Sequence, residues 1–175
     1  MIKIAEIQKL LLYLFTAFLL SGCGVYSMTG TSISAETMSI RNFYNDASNG
    51  PSNMAQTFSD QLRDYFQQNT NLTLLRDNGE LQMEGIIVGY RLSPIAPTAS
   101  TDPAKGDAAA LTRLTISVKV SYVNTQDSEF DFDQTFSFYA DYNNDLDFTT
   151  IENSLIDQIF EQIILDIFNA SVANW

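Results

Sequence analysis

From Arg113 to Tyr122 the chain alternates without a break, with Leu114, Ile116, Val118, Val120 and Tyr122 on one side and Arg113, Thr115, Ser117, Lys119 and Ser121 on the other. A period of two predicts a β-strand with one buried and one wet face. After the polar stretch Asn124 to Ser128 the pattern resumes, with Phe130, Phe132, Phe136 and Phe138 set against Asp131, Asp133, Thr135, Ser137 and Tyr139. The two runs are predicted to pair as an antiparallel hairpin. A strand buried on both faces, as in a doubly wound parallel sheet, would read as continuously apolar. The sheet must therefore be covered on one side only, and any helices must share that side.

Two amphipathic segments can supply the cover. Met54, Phe58, Leu62 and Phe66 recur at spacing four behind Pro51, which occupies a first helical position, and Asn69-Thr70-Asn71 is the stop. Ile151, Leu155, Ile159, Ile163 and Ile167 form a second stripe, widened by Phe160, Ile164 and Phe168 and opened by the capping-box pattern Thr149-Thr150-Ile151-Glu152. Two more strands are read over 37–44, where Met38 and Ile40 lead a short alternation, and over 80–92, where Gly85 and Gly89 mark bulges or close approach. Leu72 to Leu75 is a short apolar piece before the turn Asp77-Asn78-Gly79. The stretch 93–110 is the longest loop, and its Pro94, Pro97 and Pro103 exclude a central strand there. The order is strand-helix-strand-strand-strand-helix, and the strand-helix-strand unit favours a parallel pair. The expected fold is α+β, a two-layer sandwich of a mixed four-stranded sheet with two helices on one face.

The N-terminus carries an export address. Lys3 and Lys9 precede the apolar run Leu10 to Leu20, which ends in Leu20-Ser21-Gly22-Cys23, a lipobox around the only cysteine of the chain. As a helix, that run of 11 residues would span about 16 Å, against the ~30 Å of hydrocarbon that a permanent span must cross. In bacterial lipoproteins, which this pattern resembles, such a cysteine receives a thioether-linked diacylglycerol, becomes the new N-terminus and is then acylated, so that two or three chains such as palmitate hold it on the membrane. Residues 1–22 are thus read as a lipoprotein signal peptide, 23–36 as the lipidated N-terminus and a Gly/Ser/Thr-rich tether, and 37–175 as a single α+β domain.

Composition narrows the chemistry. The formal charge is −12, and the seven basic residues beyond the signal do not cluster in sequence, so nucleic acid is excluded as a partner. Histidine is absent, which removes the commonest general base, the commonest zinc ligand and every Ser-His or Cys-His nucleophile. With Cys23 acylated, no thiol remains for a disulfide, and the core must hold by packing. Asp141, Asn143, Asp145, Asp147 and Glu152 fall at EF-hand ligand spacing, but Leu146 stands where the sharp turn needs glycine, so the run is read as an acidic loop and helix cap. Asp131 and Asp133, as paired carboxylates, lack a cleft to raise either pKa and are read as solvated strand residues. No cofactor, metal or catalytic group is expected. The candidate partner-facing surface is the polar face of the hairpin: Arg113, Thr115, Ser117, Lys119, Asp131 and Asp133.

From Cys23 to Trp175 the chain resembles the LptE family, the lipopolysaccharide-assembly lipoproteins of Gram-negative outer membranes. The likeness is carried by Leu74-Leu75-Arg76-Asp77-Asn78-Gly79-Glu80-Leu81-Gln82-Met83-Glu84-Gly85, by Arg113 to Val120, and by the amphipathic helix after Phe148. The resemblance implies a lipid-anchored domain on the periplasmic side of the outer membrane that plugs a large β-barrel, LptD, and helps assemble the translocon placing lipopolysaccharide in the outer leaflet. It implies no reaction of the protein's own. It carries no lipopolysaccharide-binding residue over, since such contacts use basic side chains and this chain is acidic; Arg113 and Lys119 are its local cations on the polar face. The alternative is a lipoprotein adaptor of another cell-envelope transport or secretion complex.

Overall fold

The computed structural model describes residues 35–95 and 110–172. The signal, Cys23, most of the tether and the centre of the Pro-bearing loop lie outside the described residues. The elements are β1 (Thr37–Ile40), β2 (Tyr44–Asn45), α1 (Met54–Asn69), β3 (Thr73–Leu75), β4 (Leu81–Ile95), β5 (Leu111–Asn124), β6 (Phe132–Asn143) and α2 (Phe148–Ser171).

The alternating runs do form the antiparallel hairpin: β5 pairs with β6 from Leu111 opposite Asn143 to Tyr122 opposite Phe132. Phe130 leaves the alternation. It sits in a 3-10 turn, Ser128–Phe130, whose start is held by the Asp127 side chain accepting from the Glu129 N–H. The whole sheet runs β3-β1-β4-β5-β6, with β2 also on β4. It is mixed, since β1 is parallel to both β3 and β4 while β4, β5 and β6 are antiparallel in turn. The expected class and the two helices on one face stand, and the sheet gains two short strands beyond the expected four.

Three local differences have clear physical causes. Pro94 lies inside β4, opposite Thr112, where a loop was expected. β4 is flanked by β2 only as far as Ile87, so beyond that residue it is an edge strand, where a missing N–H is tolerated. Second, α1 begins at Met54 and not at Pro51, which closes a preceding turn by accepting the Met54 N–H at 3.1 Å. Third, α2 is capped by Asp147, whose carboxylate accepts from the Thr149 N–H at 3.0 Å and from its hydroxyl at 2.7 Å. Glu152, the expected capping partner, instead accepts from the Tyr90 hydroxyl at 2.5 Å.

The core lies between the sheet and both helices. The α1 stripe Met54, Phe58, Leu62 and Phe66 is buried, as are Leu155, Ile159, Phe160, Ile163, Ile164 and Ile167 of α2. Each such side chain contributes about 1.5–3 kcal/mol by leaving water. Phe43 packs edge-on against Phe58 at 5.0 Å and Phe58 against Phe160 at 4.9 Å, joining the sheet edge, α1 and α2. Gly85 makes room for this column, because a Cβ there would fall 2.3 Å from the Phe43 ring. At Gly89 the other expectation is met: the β4–β5 register shifts between Ile87 and Gly89, leaving Val88 as an extra residue. In the turn before β4, Asn78 adopts φ +57° and Gly79 passes against the Met38–Ser39 backbone, so the chain crosses β1 from β3 to β4.

Candidate functional site

The face of the sheet turned away from the helices has no cover among the described residues, and the cross-strand pairing fixes what it presents. Arg113, Thr115, Ser117 and Lys119 stand opposite Asp141, Tyr139, Ser137 and Thr135 on β6, and Ser121 stands opposite Asp133. Five of the six candidate residues thus share one face. Asp131 lies at its margin, just before β6, where its carboxylate accepts the Asn124 N–H at 2.7 Å and closes the hairpin.

Both candidate cations are already paired. Arg113 donates from two nitrogens to Asp141, at 2.7 and 2.9 Å, and its guanidinium lies 3.5 Å above the Tyr139 ring. The fork donated by Arg113 holds the Asp141 carboxyl below its ordinary value, and the same bonds raise the Arg113 pKa. Lys119 meets Asp133 at 3.1 Å. Between them Ser117 and Ser137 are joined hydroxyl to hydroxyl at 2.9 Å. Such exposed pairs contribute little stability, but they cancel charge locally on an acidic chain.

One group of residues on this face was missed from the sequence. Arg41 pairs with Glu84 at 2.9 Å, and Tyr44 and Ile86, opposite one another across β2 and β4, are exposed by 71% and 39%. Together with Lys119 and Asp133 they line a shallow cavity of about 280 Å³. Its origin is a kink between β1 and β2: Ile40 is level with Met83 and Tyr44 with Ile86, so three residues span what β4 covers in two. The extra residue turns Phe43 into the core. The only signal in the sequence is that the alternation from Thr37 fails at Asn42.

The acidic run is distributed among other tasks. Asp141 serves Arg113, Asp147 caps α2, Glu152 holds Tyr90, and Asn143 accepts the Asp145 N–H. Among the described residues no group of three or more carboxylates is placed to hold a metal ion, and no helix is long and apolar enough to cross a membrane.

A family model described as LptE, lipopolysaccharide-assembly, matches residues 35–171. Among solved structures, a minor lipoprotein from Acinetobacter baumannii is 13% identical with a TM-score of 0.50, the match covering 79% of this chain and 94% of that one. A hypothetical protein from Chlamydia trachomatis is 11% identical with a TM-score of 0.51, covering 80% of this chain and all, 100%, of that one. A protein from Xanthomonas campestris is 8% identical at a TM-score of 0.50, over 75% of this chain and 80% of that one. At these identities the likeness is one of fold. No curated protein matches the sequence.

Proposed function

The chain belongs to the LptE family, lipopolysaccharide-assembly, and from that membership we propose that it plugs and helps assemble an LptD-type β-barrel translocon that inserts lipopolysaccharide into the outer leaflet. It is anchored through acylated Cys23 to the periplasmic side of the outer membrane, with residues 1–22 removed and 23–36 as tether. It carries out no reaction of its own. The observation that carries the reading is the two-faced sheet: one face is packed against α1 and α2, and the other presents cross-strand hydrogen bonds and paired charges. Such a polar, hydrogen-bonding surface suits the water-lined lumen of a large barrel, whose interior is itself polar.

The test is affinity purification of the full lipoprotein from detergent-solubilised envelopes. A large β-barrel protein is expected to co-purify, and depletion is expected to lower lipopolysaccharide at the cell surface. Co-purification of an unrelated envelope complex, with surface lipopolysaccharide unchanged on depletion, would establish the adaptor role instead.

A further inference from the structure

We propose that the kinked edge of the open sheet face binds an uncharged saccharide ring. The site is the cavity of about 280 Å³ bounded by Arg41, Tyr44, Glu84, Ile86, Lys119 and Asp133, just below the roughly 300 Å³ at which pockets for drug-sized ligands begin and so of a size for one ring. It is a built feature, because the kink that opens it is pinned from behind by α1. Ser59 accepts the Phe43 N–H at 2.9 Å, and Arg63 donates to the Ile40 carbonyl at 3.3 Å and to the Asn42 side chain.

The lining selects the ligand class. Two cross-strand rows meet there, Tyr44-Ile86-Lys119 and Glu84-Ser121-Asp133. The first gives an exposed aromatic face and an apolar floor, suited to the C–H faces of a pyranose. The second row, with Arg41 and Lys119, sets carboxylates beside cationic donors at 2.9 and 3.1 Å. A hydroxyl both donates and accepts, so it bridges such a pair without breaking it. A phosphate would have to displace Glu84 or Asp133 first, and the site's four charges sum to zero within a chain of net charge −12. Electrostatics therefore favours a neutral ring over a phosphorylated one. That the natural source is the sugar portion of lipopolysaccharide rests on the assembly reading above; the site itself does not.

Saturation-transfer NMR from the full lipidated chain in detergent micelles tests this with two probes, a neutral hexose oligosaccharide cleaved from the lipopolysaccharide outer core, and maltotetraose. Transfer is expected to the first, with inorganic phosphate failing to compete, and Tyr44→Ala is expected to weaken it about tenfold. Tyr44 is exposed, so the variant should keep the wild-type melting midpoint. Transfer to the core oligosaccharide alone identifies lipopolysaccharide as the source, and transfer to both probes defines a general pyranose site. Transfer to neither, transfer unchanged in Tyr44→Ala, or displacement by phosphate overturns the proposal. If the barrel co-purifies and no transfer is seen, the site fails and the assembly role stands; if transfer depends on Tyr44 and no barrel co-purifies, the reverse holds.

Discussion

The backbone N–H of Phe43 donates to Ser59 Oγ at 2.9 Å inside the core, and the same hydroxyl donates to the Ala55 carbonyl at 2.7 Å. One helix side chain thus takes up the amide that the kink between β1 and β2 turns toward α1. Ser59→Ala leaves that buried N–H without a partner, so it is expected to cost about 1–3 kcal/mol. Urea denaturation should show a lowered midpoint with an unchanged slope, since the surface exposed on unfolding stays the same.

The partner of Phe43 on the other side is Gly85. A Cβ at Gly85 would lie 2.3 Å from Phe43 Cε1 and 2.4 Å from the Lys119 carbonyl oxygen. The ring can move, but the carbonyl belongs to the adjacent strand and cannot. Gly85→Ala is therefore expected to destabilise by at least about 1–3 kcal/mol. In a double-mutant cycle with Phe43→Leu, only part of the loss should be recovered, because the smaller side chain relieves the ring clash and leaves the backbone one.

Two buried phenols govern the alkaline limit. Burial, followed by the hydrogen bond to Glu152, pushes the Tyr90 phenol well above its ordinary range, and burial with the nearby Asp131 charge pushes Tyr122 up to about 12. A folded pKa above the unfolded one gives stability that is complete below the ordinary phenol value of 10.0 and is lost as pH rises through the folded value. Denaturation midpoints should thus hold to about pH 10 and fall from there toward pH 12. Tyr122→Phe should flatten that fall, as read by urea titrations at stepped pH.

Glu80 contributes to the acid limit, beside the Arg113-paired Asp141. The Glu80 carboxylate accepts the N–H groups of Glu36 at 2.6 Å and Thr37 at 3.1 Å, and Gln126 donates to its other oxygen at 2.7 Å. It thereby ties the start of β1 to the turn between β5 and β6. The two backbone N–H bonds, first Glu36 and then Thr37, lower its pKa. A depressed folded pKa gives stability present above the ordinary value of 4.5 and lost as pH falls through the folded one. Midpoints measured from pH 7 downward should begin to drop below about pH 4.5, and Glu80→Ala should make that limb shallower.

What the sequence made legible is what it encodes locally. The β5–β6 hairpin and the stripes of α1 and α2 are written in periods of two and four, and the structure realises them with Leu114, Val118, Phe58 and Ile163 in the core. The edge of the sheet is not written that way. Phe43 turns inward because Ser59 and Gly85, 16 and 42 positions further along, give its amide a partner and its ring a space. β3 is three residues long, too short to show any period, and is a strand only because β1 lies beside it. Likewise Asp147 and Thr149 are both competent caps, and the packing of Phe148 against Tyr142 at 5.3 Å accompanies the choice of the earlier one. Arg41, Tyr44, Glu84 and Ile86, which the sequence does not single out, all depend on this non-local edge, whereas Arg113 and Lys119 lie on the periodic hairpin, where the alternation alone places them on the polar face.

The anchoring proposed at Cys23 makes the last prediction. Each acyl methylene placed in the bilayer contributes about 0.8 kcal/mol, and one chain alone holds a protein only marginally, so the two chains of the diacylglycerol, with or without the N-acyl chain, make attachment effectively permanent. Cys23→Ala removes the thiol that would accept the diacylglycerol, so the precursor should keep its first 22 residues and incorporate no radiolabelled palmitate. Intact-mass measurement on the wild-type protein should give a chain beginning at Cys23 and heavier than the polypeptide by the attached lipid, while the variant should match the uncleaved, unmodified mass. A wild-type mass lacking the lipid increment would remove the anchor and, with it, the fixed supply of the domain at the outer membrane that the assembly role requires.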